Sequence, residues 1–393
     1  MELLSLDDST LTRLPTTNAN SPSRAVHLGT APSLLLDLIR LSAAVVVVVG
    51  HLSQSRFSSG WPDLTVYAVN AVTAFFLLSG FVIRYVTVRR HATLPHYLVD
   101  RASRIDSVLL PALVLSLLVD LLLARGVQLR HLLAAVLANL TFTAFSWHHS
   151  VSFLSNSAMW SLSFECFYYV LYGVFFYRTG WPRALFLVLA AMLAGPEILT
   201  LLPVWLAGCL LFELYLYVRD RRWFLPSLAM VLTFVAASIA AVPSLRTSLR
   251  TLRLAAMRTT HRLESSSAAP HSPLAYLLPH IGHGSRVSFN AYGWGVILFI
   301  LMLLALLIAD RVPARNDGRP ARLIRLLAES TYPLYLVHLP LLFLVVAALG
   351  HPIRSNPARL AILLALLGLS VWLGVVCNRF KLQLRHWLLK LTS

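Results

Sequence analysis

Too few charged side chains are present to cover a water-soluble globule of this size: 12% of the 393 residues are charged against 58% hydrophobic, and mean hydropathy is +0.72. The solvent around most of the chain is therefore lipid. Acidic residues are the scarcest of the charged ones, 16 against 33 Lys and Arg, for a net charge of +17. Nearly all the cations are arginines placed between apolar runs, as the positive-inside rule requires, and no stripe for a nucleic-acid partner is formed. Only three cysteines occur, Cys166, Cys209 and Cys377, each in an apolar stretch and without CxxC spacing, so neither a disulfide framework nor a zinc site is expected. His148, His149, His271, His280 and His283 lack acidic or thiol companions at ligand spacing, and no metal is expected there. Residues 1–33 are rich in Ser, Thr, Pro and Asn and have no apolar core of a signal peptide; they read as a disordered cytoplasmic tail. Nor is there an internal repeat, which argues against an inverted-repeat transporter.

What the chain does have is long apolar runs. A helix crosses a bilayer core of about 30 Å with roughly 20 residues, and eleven segments approach that length: 34–53, 66–86, 108–124, 131–146, 158–177, 184–195, 200–218, 225–242, 291–309, 332–349 and 358–377. The stretches with Arg89, Arg90, Arg101 and Arg104, with Arg311 to Arg325, and with Arg379 to Lys390 read as cytoplasmic loops and tail, which places both termini inside. Two inner termini require an even number of crossings, so 131–146, preceded by Arg130 and His131, is expected to be re-entrant or interfacial. The sequence thus predicts an all-α polytopic membrane protein of about ten spans. A membrane domain over 34–377 carries a polar outer loop at 243–290, and a basic tail follows at 378–393.

The first span holds the most informative pair. Arg40 and His51 are eleven residues apart, close to three helical turns, and so share one face with about 16 Å of axial separation. An arginine inside lipid costs several kcal/mol unless a cavity or partner meets it; Asp37, one turn back, is the local partner, and an anion is the functional one. A lone buried histidine is commonly satisfied by a carbonyl, but its alignment with Arg40 points to a site.

Leu36-Asp37-x-x-Arg40, ten further residues and His51 resemble the opening motif of the membrane acyltransferase-3 family, the integral membrane O-acyltransferases of polysaccharides, lipopolysaccharide and some antibiotics. Four more stretches resemble that family's motifs, in its order. They are Phe75-Phe76-Leu77-Leu78-Ser79-Gly80-Phe81, Arg101-x-x-Arg104-Ile105, Trp160-Ser161-Leu162-Ser163-Phe164-Glu165, and Ser330-x-Tyr332-x-x-Tyr335-Leu336-x-His338. Asp106 and Ser107 stand where the family usually has a nearby proline, and Asn378-Arg379-Phe380 replaces its Glu-x-Pro.

The resemblance implies an enzyme of the cell membrane that moves an acyl group, acetyl above all, from acyl-CoA to a hydroxyl of a glycan, glycolipid or glycosylated small molecule. Arg40, Arg101 and Arg104 would bind the donor's phosphates, which guanidinium forks match. His51 would act as general base or as acyl carrier, and Glu165 would orient its imidazole or bind the acceptor. Ser79, Trp160, Ser161, Tyr335 and His338 would contact substrate, while Ser79-Gly80 also suits close helix packing. The rival expectation is a transporter or flippase for an anionic or glycosylated solute, using Arg40, Glu165 and His51 as its binding site.

Overall fold

In lipid, backbone N–H and C=O groups find partners only within their own segment, and the long Leu-, Val- and Ala-rich runs accordingly fold as helices. A computed structural model describes residues 27–89, 92–123, 128–147, 151–219, 273–313 and 318–392, the side chains of 273–290 and 392 excepted. Its helices are α1 (Thr30–Leu52), α2 (Thr65–Arg89), α3 (Leu94–Leu123), α4 (Leu129–Leu140), α5 (Trp160–Tyr177), α6 (Gly180–Arg219), α7 (Pro273–Ala309), α8 (Arg319–Glu329), α9 (Thr331–Leu349) and α10 (Asn356–Thr392). Seven of these described helices are long and apolar enough to cross a membrane. The chain is a polytopic all-α membrane protein.

Helix α6 is a hairpin of two arms. Gly195 adopts φ 78° and ψ 171°, a left-handed backbone region open to glycine and costly for a residue with a Cβ, and Pro196 then starts the second arm with a φ already suited to a helix. Tyr177, just before α6, meets Tyr97 near the start of α3 at 5.5 Å. At the other end Arg219 donates from Nη1 to the His27 carbonyl at 3.0 Å. The two arms match the separate segments expected at 184–195 and 200–218.

Helix α4, with twelve residues, is about 18 Å long and too short to span. Three expectations change in detail. Arg101 and Arg104 were assigned to a cytoplasmic loop, yet α3 starts at Leu94 and carries them about two and three turns in, Arg101 being buried; only a few residues separate α2 from α3. The stretch read as a loop to residue 290 is helical from Pro273 onward, continuing into α7. Residues 378–392, read as a tail, extend α10, because Phe380, Leu382, Trp387 and Leu391 keep an apolar helical pattern and Arg385 Nε pairs with Asp100 Oδ1 of α3 at 2.6 Å. The segment 225–242, the rest of the outer loop and residues 1–26 lie outside the described residues.

The tightest packing joins α2 to the second arm of α6. A Cβ on Gly80 would collide with the Trp205 carbonyl oxygen, and one on Gly208 with that of Leu77, so the two backbones touch as small residues allow in membranes. Cys209 Sγ lies 3.3 Å from the Gly80 carbonyl, and Arg84 Nε pairs with Glu213 Oε1 at 2.5 Å farther along. Because the obstructing atoms are backbone, a side chain there forces the helices apart. Gly80→Val or Gly208→Val is expected to cost about 3 kcal/mol and to appear as a lowered melting temperature in detergent, whereas Gly293→Val, where a Cβ meets nothing within 4 Å, leaves it unchanged.

Candidate active site

Helices α1, α2, α3, α5 and α9 line a partly open cavity in the half of the bundle where Arg40 lies. Three guanidinium groups line it, those of Arg40, Arg101 and Arg104, with Glu165 as their one acidic companion on the wall. Arg40 and Arg104 also line a second, open cavity that reaches Lys381 on α10, and Thr331 and Tyr332 are shared as well. The site thus opens toward the end of the bundle where basic residues concentrate. Two of its wall residues carry buried polar atoms without a hydrogen bond, Arg101 Nε and Tyr332 Oη, and unmet donors of this kind suit a polar, anionic ligand.

Glu165 is built into a hydrogen-bonded cluster. Tyr169, one helical turn on, donates its hydroxyl to Glu165 Oε1. Ser79 Oγ donates to the same oxygen at 3.1 Å and accepts from Trp205 Nε1 at 3.1 Å. Gly80 thus serves helix packing, while Ser79 lies on the cavity wall.

His51 lies outside this cavity, at the far end of α1. Its Nδ1 is 2.8 Å from His338 Nε2, with ring centroids 5.0 Å apart and planes inclined by 22°, as for two imidazoles meeting edge to edge. His338 is fully buried, and its Nδ1 faces the carbonyl oxygens of Tyr335 at 2.8 Å and Leu334 at 3.2 Å. Between the cavity and this pair stands the hydrogen bond of Ser161 Oγ with Tyr335 Oη, 2.9 Å long.

The backbone that holds this wall follows from a proline and an aspartate. Pro340 has no N–H for the Leu336 carbonyl one turn back; Asn156 Nδ2 donates to that carbonyl at 2.8 Å, and also to Ser116 Oγ at 2.8 Å. The preceding residues are fastened by Asp120 of α3, 1% exposed, whose carboxylate accepts the Leu154 and Ser155 N–H groups at 2.8 and 2.9 Å. This fixes the entry to α5 and hence the height of Ser161 and Glu165.

Arg40, Ser79, Arg101, Arg104, Ser161, Glu165 and Tyr335, all singled out in the sequence, thus meet around one cavity. His51 and His338 form a separate pair. Glu165 was expected to orient the His51 imidazole or to bind the acceptor; it does not meet His51 but faces Ser79 and Tyr169, because α5 carries it more than a turn past Ser161 on the arginine side, and His338 takes the imidazole. Trp160 packs on Phe76 and Phe164, at 6.3 and 5.1 Å between centroids, and is not on the wall of this cavity. Sequence reasoning missed Tyr169, whose signal was its i, i+4 spacing from Glu165, and Trp205, which had none. His148 and His149, and the side chains of His271, His280 and His283, lie outside the described residues.

Compared with known families, the chain matches the profile described as an acyltransferase domain over residues 34–379. No curated protein and no solved structure matches it.

The Asp120 clamp makes a direct demand on stability. Asp120→Ala leaves two buried N–H groups without a charged acceptor and is expected to cost about 3 kcal/mol, seen as a lowered melting temperature in detergent; Ser116→Ala removes one acceptor of a two-bond amide and costs about 1 kcal/mol.

Proposed function

The chain belongs to the acyltransferase family whose profile it matches, and on that premise we propose that it transfers an acyl group, acetyl first among them, from acyl-CoA to a hydroxyl of a carbohydrate-containing acceptor. The observation that carries this reading is the three-arginine cavity, placed on the same face of α1 as His51. Arg40, Arg101 and Arg104 make an anion site inside an apolar bundle, where charge-assisted bonds to phosphate are strong because little water competes. A donor with phosphates at one end and a thioester at the end of a long arm fits that separation: about 16 Å along α1 lies between Arg40 and His51.

In this reading the basic end of the bundle faces the cytoplasm, where acyl-CoA is made, and the protein sits in the cell membrane. The second cavity, beside Lys381, admits the donor. Ser79, Glu165 and Tyr169 offer hydrogen bonds to the arm between its charged and reactive ends. At the far end His51 takes the proton from the acceptor hydroxyl as that oxygen attacks the thioester carbonyl, or attacks the carbonyl itself and passes the acyl group on. Either way the carbon–sulfur bond breaks and the thiol leaves with a proton.

The experiment is transfer or hydrolysis of radiolabelled acetyl-CoA by the purified full chain in detergent. His51→Ala is expected to lower kcat by at least about 100-fold, the ordinary share of a positioned acid–base group. Arg101→Ala and Arg104→Ala each remove a charge-assisted contact and are expected to raise the donor KM about tenfold or more, with a smaller change in kcat. Wild-type protein that folds yet neither binds nor turns over acetyl-CoA or longer acyl-CoA donors, and instead moves solute across a vesicle wall, overturns the reading.

A further inference from the structure

His338 was expected to touch substrate; we propose instead that it is a positioning residue that sets the tautomer of His51 and so puts the reactive lone pair on His51 Nε2. The inference deepens the acyl-transfer reading and rests on it for its catalytic meaning, while the tautomer itself is a property of the resting protein.

The argument is one of donors and acceptors. His338 Nδ1 lies 2.8 Å from the Tyr335 carbonyl oxygen and 3.2 Å from that of Leu334. A carbonyl oxygen only accepts, so Nδ1 must carry a proton; a bare lone pair there would face two others. A neutral imidazole has one N–H, and His338 Nε2 is therefore an acceptor. His51 Nδ1, 2.8 Å away, must then be the donor of that bond. One proton on His51 is thereby assigned, and its Nε2 is left with a free pair. That nitrogen bonds to no described residue, and His51 is only half-buried whereas His338 is fully buried.

The other proton arrangement fails on charge. With His338 as imidazolium, Nε2–H would donate to His51 Nδ1 and move the His51 proton to Nε2, which destroys the base. That cation would sit fully buried, with a carboxylate neither on His338 nor on its partner, and an unpaired buried charge is among the costliest arrangements in a protein. The neutral chain Tyr335 carbonyl, His338, His51 is thus selected.

The arrangement has the logic of a catalytic triad with an imidazole in the carboxylate's place. A carboxylate would orient the ring and also stabilise its cation; His338, held by peptide dipoles, orients it and supplies a weaker acceptor when His51 takes up a proton. The helix makes this possible locally, since Leu334, Tyr335 and His338 lie within one turn of α9 and the Nδ1 contacts need no second element.

Two variants and a spectrum test it. In His338→Phe the ring volume stays and the acceptor is lost; in His338→Gln the side-chain oxygen can accept from His51 Nδ1. Melting in detergent monitors the fold of both. With acetyl-CoA and an acceptor, His338→Phe is expected to lose about 100-fold in kcat at unchanged donor KM, and His338→Gln to recover most of it. Nitrogen-15 spectra of the wild-type full chain, with the His51 signals identified by their loss in His51→Gln, are expected to show a protonated Nδ1 and a bare Nε2 on His51. A proton on Nε2 overturns the proposal, and does so even for a protein found to transfer no acyl group. Wild-type kcat in His338→Phe, or a raised donor KM with kcat unchanged, overturns it too, the latter returning His338 to substrate contact.

Discussion

Inside a bilayer a polar group has no water to fall back on, and the rest of this structure depends on that constraint. A buried polar side chain is therefore best met by another part of the chain, and several here are. Asp120 is met by two backbone N–H groups, Asn156 by a carbonyl that Pro340 leaves free, Ser79 by Glu165 and Trp205, and His338 by its own helix and His51. Among the buried polar atoms left without a hydrogen bond, Arg101 Nε and Tyr332 Oη belong to residues on the wall of the cationic cavity.

The bracing and the site share elements. Gly80 brings α2 against α6 closely enough for Trp205 to reach Ser79, and the adjacent Ser79 then faces the cavity. Helix α9 presents Tyr335 to Ser161 and, one turn later, His338 to His51. A rigid scaffold of this kind positions groups more closely than loops would. It also sets two stations along α1, a cationic one around Arg40 and an imidazole one at His51. Acyl transfer fits such a layout because the phosphates and the reactive carbonyl of an acyl-CoA are themselves far apart.

Much of this was legible in the chain. The apolar runs announced helices because a bilayer leaves the backbone few other choices, and the α6 hairpin was visible as two short runs around Gly195-Pro196. Arg40 and His51 were legible because helical periodicity converts an eleven-residue spacing into a shared face. The partner of His51 was not. Depth counted along α5 placed Glu165 near it, but α5 carries Glu165 more than a turn past Ser161, on the arginine side, where Ser79 and Tyr169 meet it. Arg101 and Arg104 looked like topology signals in a loop, since basic residues between apolar runs are usually that; the helix that begins before them was hidden by its own polar first turns.

The sequence by itself determined the solvent, the helical class, the family and the residue types of the site, because these follow from hydropathy, period and local motifs along one dimension. The tertiary structure alone decided the pairings: His51 with His338, Glu165 with Ser79 and Tyr169, Gly80 with the backbone of α6, and the three arginines around one cavity. Those depend on how helices far apart in the chain are rotated and set in height against one another, and that is determined by the sum of many small packing contacts rather than by any one segment.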